Sequence, residues 1–258
     1  MKREVVEPGF RAFVARTFGD EGREWIARLP SMETELAERW RLALGPELPG
    51  GLLSCVRVVT REDGSPAILK IGARRRTHDE IGALRAWDGG GAPLLLAADV
   101  DLKAMLLERI EPGDHPVGAS GETVGAVLRE LHVPPHAGLP TLWEIVRKRI
   151  ENALHDERAS EQKARWALAK ADQLERDAPA PVLLHGDFDD RNLLVCSRRG
   201  LCAIDPLPCA GDPAYDAGYW VHGNRQPGRR ARLDAIVAAG GFDRARVRDW
   251  AAIIGVHG

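Results

Sequence analysis

Residues 183–192, LLHGDFDDRN, place one His, three Asp, one Arg and one Asn directly after an apolar run. Asp187, Asn192 and, further on, Asp205 offer oxygen donors with no accompanying His or Cys cluster. A sparse all-oxygen set suits Mg²⁺, which takes one or two protein ligands and fills its shell with phosphates and water. NLLVC and LCAID read as an antiparallel hairpin around the four-residue turn SRRG, with Cys196 facing Leu201 and Asn192 opposite Asp205. Opposed residues sit about 5 Å apart at Cα, so the Asn192 amide oxygen and the Asp205 carboxylate can share one hard cation. Asp187, at the start of the loop, is then placed to orient or deprotonate a hydroxyl aimed at a phosphorus atom. Turn chemistry is the competing reading, because Asp and Asn cap helices and close local backbone bonds. It accounts for each Asp alone, but not for the spacing H-G-D-x-x-x-x-N joined to an apolar hairpin that ends in Asp.

The elements that must position these groups can be read along the chain. DEGREWIARLP and SMETELAERWRLAL predict two short amphipathic helices between Gly19 and Leu44, the first stopped by Pro30 and the second capped by Ser31. CVRVVTREDGSPAILKIG predicts a hairpin that turns at Asp63-Gly64 and whose second strand ends at Lys70. THDEIGALRAWDGGG predicts a helix, and PLLLAADVD and KAMLLERI two further strands. EPGDHPVGAS is the best linker candidate. Beyond it, helical segments at SGETVGAVLRELH, TLWEIVRKRIENALHD and SEQKARWALAKADQLERD precede the short strands PVLLH, NLLVC and LCAID. Two more helices, RRARLDAIVAAGG and FDRARVRDWAAIIG, follow. The pattern predicts an α+β chain of two lobes: 1–111, a small antiparallel sheet with a helical extension, and 112–258, mostly helical.

Composition narrows the function classes. With 258 residues, 44% hydrophobic and 29% charged, the chain is an ordinary globular protein long enough for two lobes. A net charge of −2 disfavours a nucleic-acid partner, and the basic run in ARRRTHDE reads as a solvated helix approach. Cys55, Cys196, Cys202 and Cys209 fit neither a zinc knuckle nor a redox motif and read as small buried hydrophobes of a reducing compartment. MKREVVEPGF lacks a secretory apolar region, and no apolar run nears the ~20 residues of a membrane span. A cytoplasmic monomer is the expectation.

HGDFDDRN followed by IDP is similar to the catalytic segment of the protein-kinase-like fold. The Gly after His185 and the Pro after Asp205 resemble the aminoglycoside phosphotransferase family. RWRLAL, DGSPAILKIG, HDEIGALRAWDGGGAPLLLAADVDLKAMLLERIEPG and AIDPLPCAGDPAYDAG resemble, in order, its streptomycin 6-kinase and hydroxyurea phosphotransferase branch, over roughly residues 25 to 222. The resemblance implies a two-lobed protein-kinase-like fold and an ATP- and Mg²⁺-dependent phosphotransferase. Its acceptor would be the hydroxyl of an antibiotic-like molecule, most simply an aminoglycoside such as streptomycin, with hydroxyurea as the alternative. Lys70 would grip the α- and β-phosphates while paired with Glu80, and the backbone from Glu108 to Ile110 would meet the adenine edge. Asp187 would be the base, Asn192 and Asp205 the metal ligands, His185 a brace for the loop, and Asp216 its tether.

Alternatives stand beside these roles. Thr77 and Glu80 also form a capping-box pattern. Asp212 is left unassigned, and Tyr215, Tyr219 and Trp220 read as core rather than as an acceptor platform. The chain departs from the family in showing PGGLLSCV where a G-x-G-x-x-G would cover phosphates, and in carrying Asp189, Asp190 and Arg191 in the loop. The two extra acids favour a cationic acceptor. An early stop at IIGVHG implies one fewer helix around the acceptor pocket. A non-catalytic nucleotide-binding module and a metal-dependent hydrolase using His185 are the remaining function classes, the latter without further metal ligands at suitable spacing.

Overall fold

A computed structural model describes residues 9–49, 53–73, 77–223 and 228–257. Parts of PGGLLSCV and ARRRTHDE fall outside the described residues. The chain divides into two units, Met1–Ile81 with Leu94–Arg109, and Gly82–Pro93 with Ile110–Gly258.

The first unit is a five-stranded antiparallel sheet, β1 Leu42–Glu47, β2 Ser54–Arg61, β3 Pro66–Gly72, β4 Leu95–Asp99 and β5 Ala104–Glu108, in the order β1-β2-β3-β5-β4. The predicted hairpin is the β2–β3 pair, in which Asp63 closes the turn by accepting the Ser65 N–H at 2.9 Å. Strand β3 runs past Lys70 to Gly72. A Cβ at Gly72 would lie 1.9 Å from the Thr77 hydroxyl oxygen, so only glycine lets helix α2, Thr77–Trp87, start so close to the strand.

The N-terminal segment corrects the sequence reading. Helix α1, Phe10–Trp40, passes through Pro30 and is interrupted instead at Gly19 (φ 57, ψ −129). Leu29, Met32 and Leu36 form one inward stripe that packs with Leu42, Cys55, Val59, Leu69, Ile71 and Leu106. That burial outweighs the helix penalty of about 3 kcal/mol for an interior proline. After a left-handed Arg41 cap, the stretch from Leu42, expected to end the second helix, pairs with β2 as edge strand β1.

In the second unit the predicted helices are α3 Gly121–Leu131, α4 Leu142–His155, α5 Glu161–Arg176, α7 Arg229–Ala238 and α8 Arg244–His257, joined by a helix not anticipated from the sequence, α6 Ala214–His222. Ser120, Thr141 and Ser160 cap α3, α4 and α5 through their hydroxyls, and Thr141 with Glu144 completes a capping box. Strand β6, Val182–Leu184, pairs with β9, Cys209–Gly211, a three-residue strand not anticipated from the sequence. β7 Leu193–Cys196 and β8 Gly200–Ala203 form the expected hairpin. Cys196 and Cys202 pack there with Ile110. All four cysteines are free and buried, and burial pushes the Cys55 thiol up to about 12. No helix among the described residues is long and apolar enough to cross a membrane.

Candidate active site

Strand β6 delivers His185, Gly186 and Asp187 into the loop that precedes β7. Gly186 is left-handed (φ 77), and a Cβ there would lie 2.1 Å from the Leu207 carbonyl oxygen. Fully buried Asp216 on α6 accepts the His185 N–H at 2.8 Å and the Gly186 N–H at 2.9 Å, and meets His132 Nε2 at 3.2 Å. One carboxylate therefore satisfies two buried backbone donors and ties the loop to α6, the tether role implied for Asp216.

His185 is fully buried, and burial depresses its pKa, so its ring is neutral. Nε2 lies 3.0 Å from the Ile204 carbonyl and donates to it, while Nδ1 faces the Asp187 N–H at 3.4 Å. Trp87 stacks on the ring at 6.3 Å and Phe188 meets it edge-on at 5.6 Å. A ring committed on both nitrogens and flanked by Trp87 and Phe188 is a brace.

Asn192 donates from Nδ2 to the Asp187 backbone carbonyl at 2.8 Å and to the Asp187 carboxylate at 3.0 Å. With the amide nitrogen turned toward Asp187, the side-chain oxygen is the end presented elsewhere. The hairpin register differs from expectation by one residue. Cys196 pairs with Gly200 and Leu193 with Ala203, so Asn192 stands opposite Ile204, whose N–H it accepts at 2.8 Å. The loop is three residues rather than four, and Gly200 belongs to the ladder. Asp205 lies one position beyond, where its left-handed φ of 55° ends the alternation of faces.

Asp189 and Asp190 are not surface charges waiting for a cation. Asp189 caps the short 3₁₀ turn Asp190–Asn192 by accepting the Arg191 N–H at 2.7 Å, and it also binds the Arg191 guanidinium. Asp190 is buried against Arg232 of α7 and accepts the Trp220 indole N–H at 3.1 Å. Both carboxylates are neutralised internally, which removes the basis for using them to infer a cationic acceptor. Asp212 is similarly spent on Arg246 and on the Trp250 indole at 2.7 Å.

A residue missed from the sequence is Arg149 on α4. Its Nη1 donates to the hydroxyls of Tyr215 and Tyr219, both at 2.8 Å, and its Nη2 lies 3.8 Å from Asp187 Oδ1. Burial raises both phenols above the ordinary tyrosine range despite the adjacent guanidinium, so both stay protonated. Tyr215 and Trp220 are core residues, whereas Tyr219 is half-buried beside Asp187. A charged residue on the inward stripe formed by Ile145, Val146, Ile150 and Ala153 was the available signal.

In the first unit, Lys70 on β3 donates to Glu80 on α2 at 2.6 Å, and both are buried, 7% and 8% exposed. A buried ammonium beside a carboxylate is a fixed, desolvated donor for an anion. Glu108 ends β5; its N–H is committed to the Leu94 carbonyl at 2.9 Å and is not available to a ligand. Ile110 begins the main part of the second unit and is buried there.

One amide oxygen and one carboxylate, from Asn192 and Asp205, fit the chemistry of Mg²⁺. Among the described residues no three His, Cys, Asp or Glu side chains gather as a metal-binding group, so the ligand cage a metal-dependent hydrolase needs is not found there.

Comparison with known proteins bears on family and fold. A family described as aminoglycoside/hydroxyurea antibiotic resistance kinase matches residues 39–258. A streptomycin 6-kinase of Streptomyces glaucescens is 35% identical over 269 residues, covering 96% of this chain and 87% of the relative. A hydroxyurea phosphotransferase of Kitasatospora aureofaciens is 32% identical over 252 residues, covering 90% and 72%. The solved GDP complex of wild-type aminoglycoside 2′-phosphotransferase-IIIa superposes with a TM-score of 0.61 at 15% identity, covering 87% of each chain. That likeness is one of fold, and it is the protein-kinase-like α+β fold the sequence implied.

Proposed function

The chain belongs to the aminoglycoside/hydroxyurea antibiotic resistance kinase family, and from that premise we propose that it transfers the γ-phosphoryl group of ATP to a hydroxyl of an antibiotic, with streptomycin as the acceptor. Streptomycin is preferred to hydroxyurea because the named streptomycin kinase is the more similar of the two relatives, at 35% against 32% identity. Residues 1–111 form the nucleotide-binding lobe in this reading, and 112–258 the catalytic and acceptor-binding lobe. The protein acts as a cytoplasmic monomer, a setting in which its four free cysteines stay reduced.

The observation that carries the reading is the double hydrogen bond from Asn192 to Asp187, because it fixes a base and a metal-facing oxygen as one rigid unit. Lys70, held by Glu80, anchors the nucleotide phosphates, and backbone from Glu108 to Ile110, other than the committed Glu108 N–H, meets the base. Asn192 and Asp205 would hold Mg²⁺. Bound there, the ion would neutralise charge on the phosphate oxygens during transfer. Asp187 accepts the proton of the acceptor hydroxyl as its oxygen bonds to the γ-phosphorus and the bond to the ADP oxygen breaks. His185 and Asp216 keep the loop in place and exchange no proton with substrate.

The test is incubation of the purified protein with MgATP and, separately, streptomycin and hydroxyurea, read by mass spectrometry. Streptomycin is expected to gain one phosphoryl group. A gain on hydroxyurea alone reassigns the acceptor. No gain on either, with nucleotide still raising Tm, leaves the non-catalytic nucleotide-binding module in place of the enzyme.

A further inference from the structure

Arg149 has no part in holding nucleotide, metal or acceptor in the reading above, yet it is the charge buried beside the proposed base. It lies four residues after Ile145 and three after Val146, on the inward stripe of α4, and its side chain is 18% exposed. A guanidinium in such a place is costly unless it is neutralised and its donors are met. Two of its contacts are neutral phenols, at 2.8 Å each, and its carbon sits 5.3 Å from the Tyr219 ring centre. Asp187 is its only carboxylate partner among the described residues.

The Asp187 carboxylate is thereby held from both ends. Oδ2 accepts a hydrogen bond from Asn192 at 3.0 Å, while Oδ1 faces the Arg149 guanidinium at 3.8 Å. That second distance lies beyond hydrogen-bond range. The cation therefore directs the carboxylate without hydrogen-bonding Oδ1, and the Tyr219 hydroxyl, which also interacts with the Asp187 carboxylate, completes the setting.

We infer that Arg149, anchored by the Tyr215 and Tyr219 hydroxyls, is a positioning residue for phosphoryl transfer: it fixes the Asp187 carboxylate so that Oδ1 faces the acceptor hydroxyl. It acts through Asp187 and touches neither substrate. The inference rests on the assignment of Asp187 as the base. In the step it serves, the acceptor oxygen bonds to the γ-phosphorus, the bond to the ADP oxygen breaks with its electron pair, and the hydroxyl proton passes to Oδ1.

Steady-state kinetics on Arg149→Met, Tyr219→Phe, Asp187→Asn and the double variant Asp187→Asn/Arg149→Met test this. Loss of a guide for the base should lower kcat about 100-fold in Arg149→Met, with KM for ATP and the nucleotide-induced rise in Tm nearly unchanged. Tyr219→Phe keeps the ring and removes one anchor, so kcat should fall about tenfold. In the Asp187→Asn background, Arg149→Met should change the residual kcat by no more than about twofold, because the pair acts as a unit. Wild-type kcat in both Arg149→Met and Tyr219→Phe, or an undiminished loss from Arg149→Met in the Asp187→Asn background, reduces Arg149 to packing and overturns the inference. Should Arg149→Met fail to fold, the kcat of Tyr215→Phe decides, because Tyr215 anchors Arg149 without hydrogen-bonding Asp187: a wild-type value overturns the inference. Wild-type turnover by Asp187→Asn is a distinct result, which removes the base assignment and this inference with it.

Discussion

Asn192 donates its side-chain amide to both the backbone carbonyl and the carboxylate of Asp187, at 2.8 and 3.0 Å, and so closes the loop that carries both residues. An Asp at position 192 keeps the shape but can only accept, and it places a second negative charge against Asp187. Asn192→Asp is therefore expected to fold and to lose kcat by about 100-fold or more, since the base is no longer held in place. The check is kcat across a Mg²⁺ titration alongside a melting curve. A normal rate at saturating Mg²⁺ would mean that neither the lock nor the metal role of Asn192 matters.

The Lys70–Glu80 pair allows a milder substitution. Glu80→Gln preserves an acceptor for the Lys70 ammonium and removes the charge that orients it. A hydrogen bond to a charged partner contributes about 1.5–3 kcal/mol, so losing the charge should weaken nucleotide binding at least about tenfold. Calorimetric titration with a non-hydrolysable ATP analogue and Mg²⁺ measures it. Unchanged affinity in a folded Glu80→Gln protein would dissociate the pair from phosphate binding.

Beneath the loop, Asp190 and Arg232 form an ion pair whose side chains are 6% and 2% exposed. Removing one partner of a buried pair strands the other charge, at a cost of about 3–5 kcal/mol. Asp190→Ala should approach that loss, aggravated by the Trp220 indole that also loses its acceptor. A double variant, Asp190→Leu/Arg232→Met, should recover most of it. Urea unfolding of the three proteins settles the point: a single-variant loss below about 1 kcal/mol places the pair among the weak surface bridges.

What the sequence disclosed followed pattern length and residue chemistry. Helices α3 to α5 were legible because a capping hydroxyl stood before each apolar stripe. β1 was hidden by Gly45 and Pro46, turn residues that an edge strand tolerates and a central one does not. β9 is three residues long, too short to show alternation. In SRRG, the Gly that looked like a turn residue instead pairs with Cys196, and a one-residue slip of this kind exchanges the faces of a strand. Asp189 and Asp190 looked available because their partners, Trp220 and Arg232, lie far along the chain for Asp190, and because Arg191 was counted as a separate charge for Asp189. Arg149 was missed although it is a charge on an apolar stripe, because its partners Tyr215 and Tyr219 come from another helix.

His257, in the last turn of α8, provides a prediction in pH. Its ring is buried, its Nε2 has no hydrogen-bond partner among the described residues, and burial together with Arg149 and His222 pushes its pKa down to about 3. An unfolded His titrates near 6.5. Between those values the unfolded chain binds a proton that the native ring does not, so stability rises with pH across this window and is lost as pH falls through it. From pH 7 to pH 5 the loss from this one group is about 2 kcal/mol, and below about pH 3 it grows no further. His185 and His222, both depressed by burial, act in the same direction, while Glu175, raised by burial and by Asp212, acts in the opposite one. The wild-type slope is therefore a sum, and the informative quantity is the change in slope on His257→Gln, which removes the titration and keeps a polar side chain. Urea unfolding at pH 5 and pH 7 should show the gap between the two conditions shrinking by about 2 kcal/mol in the variant. An identical gap in both proteins would mean that the native ring takes up its proton as readily as the unfolded one, which a ring buried beside Arg149 cannot do.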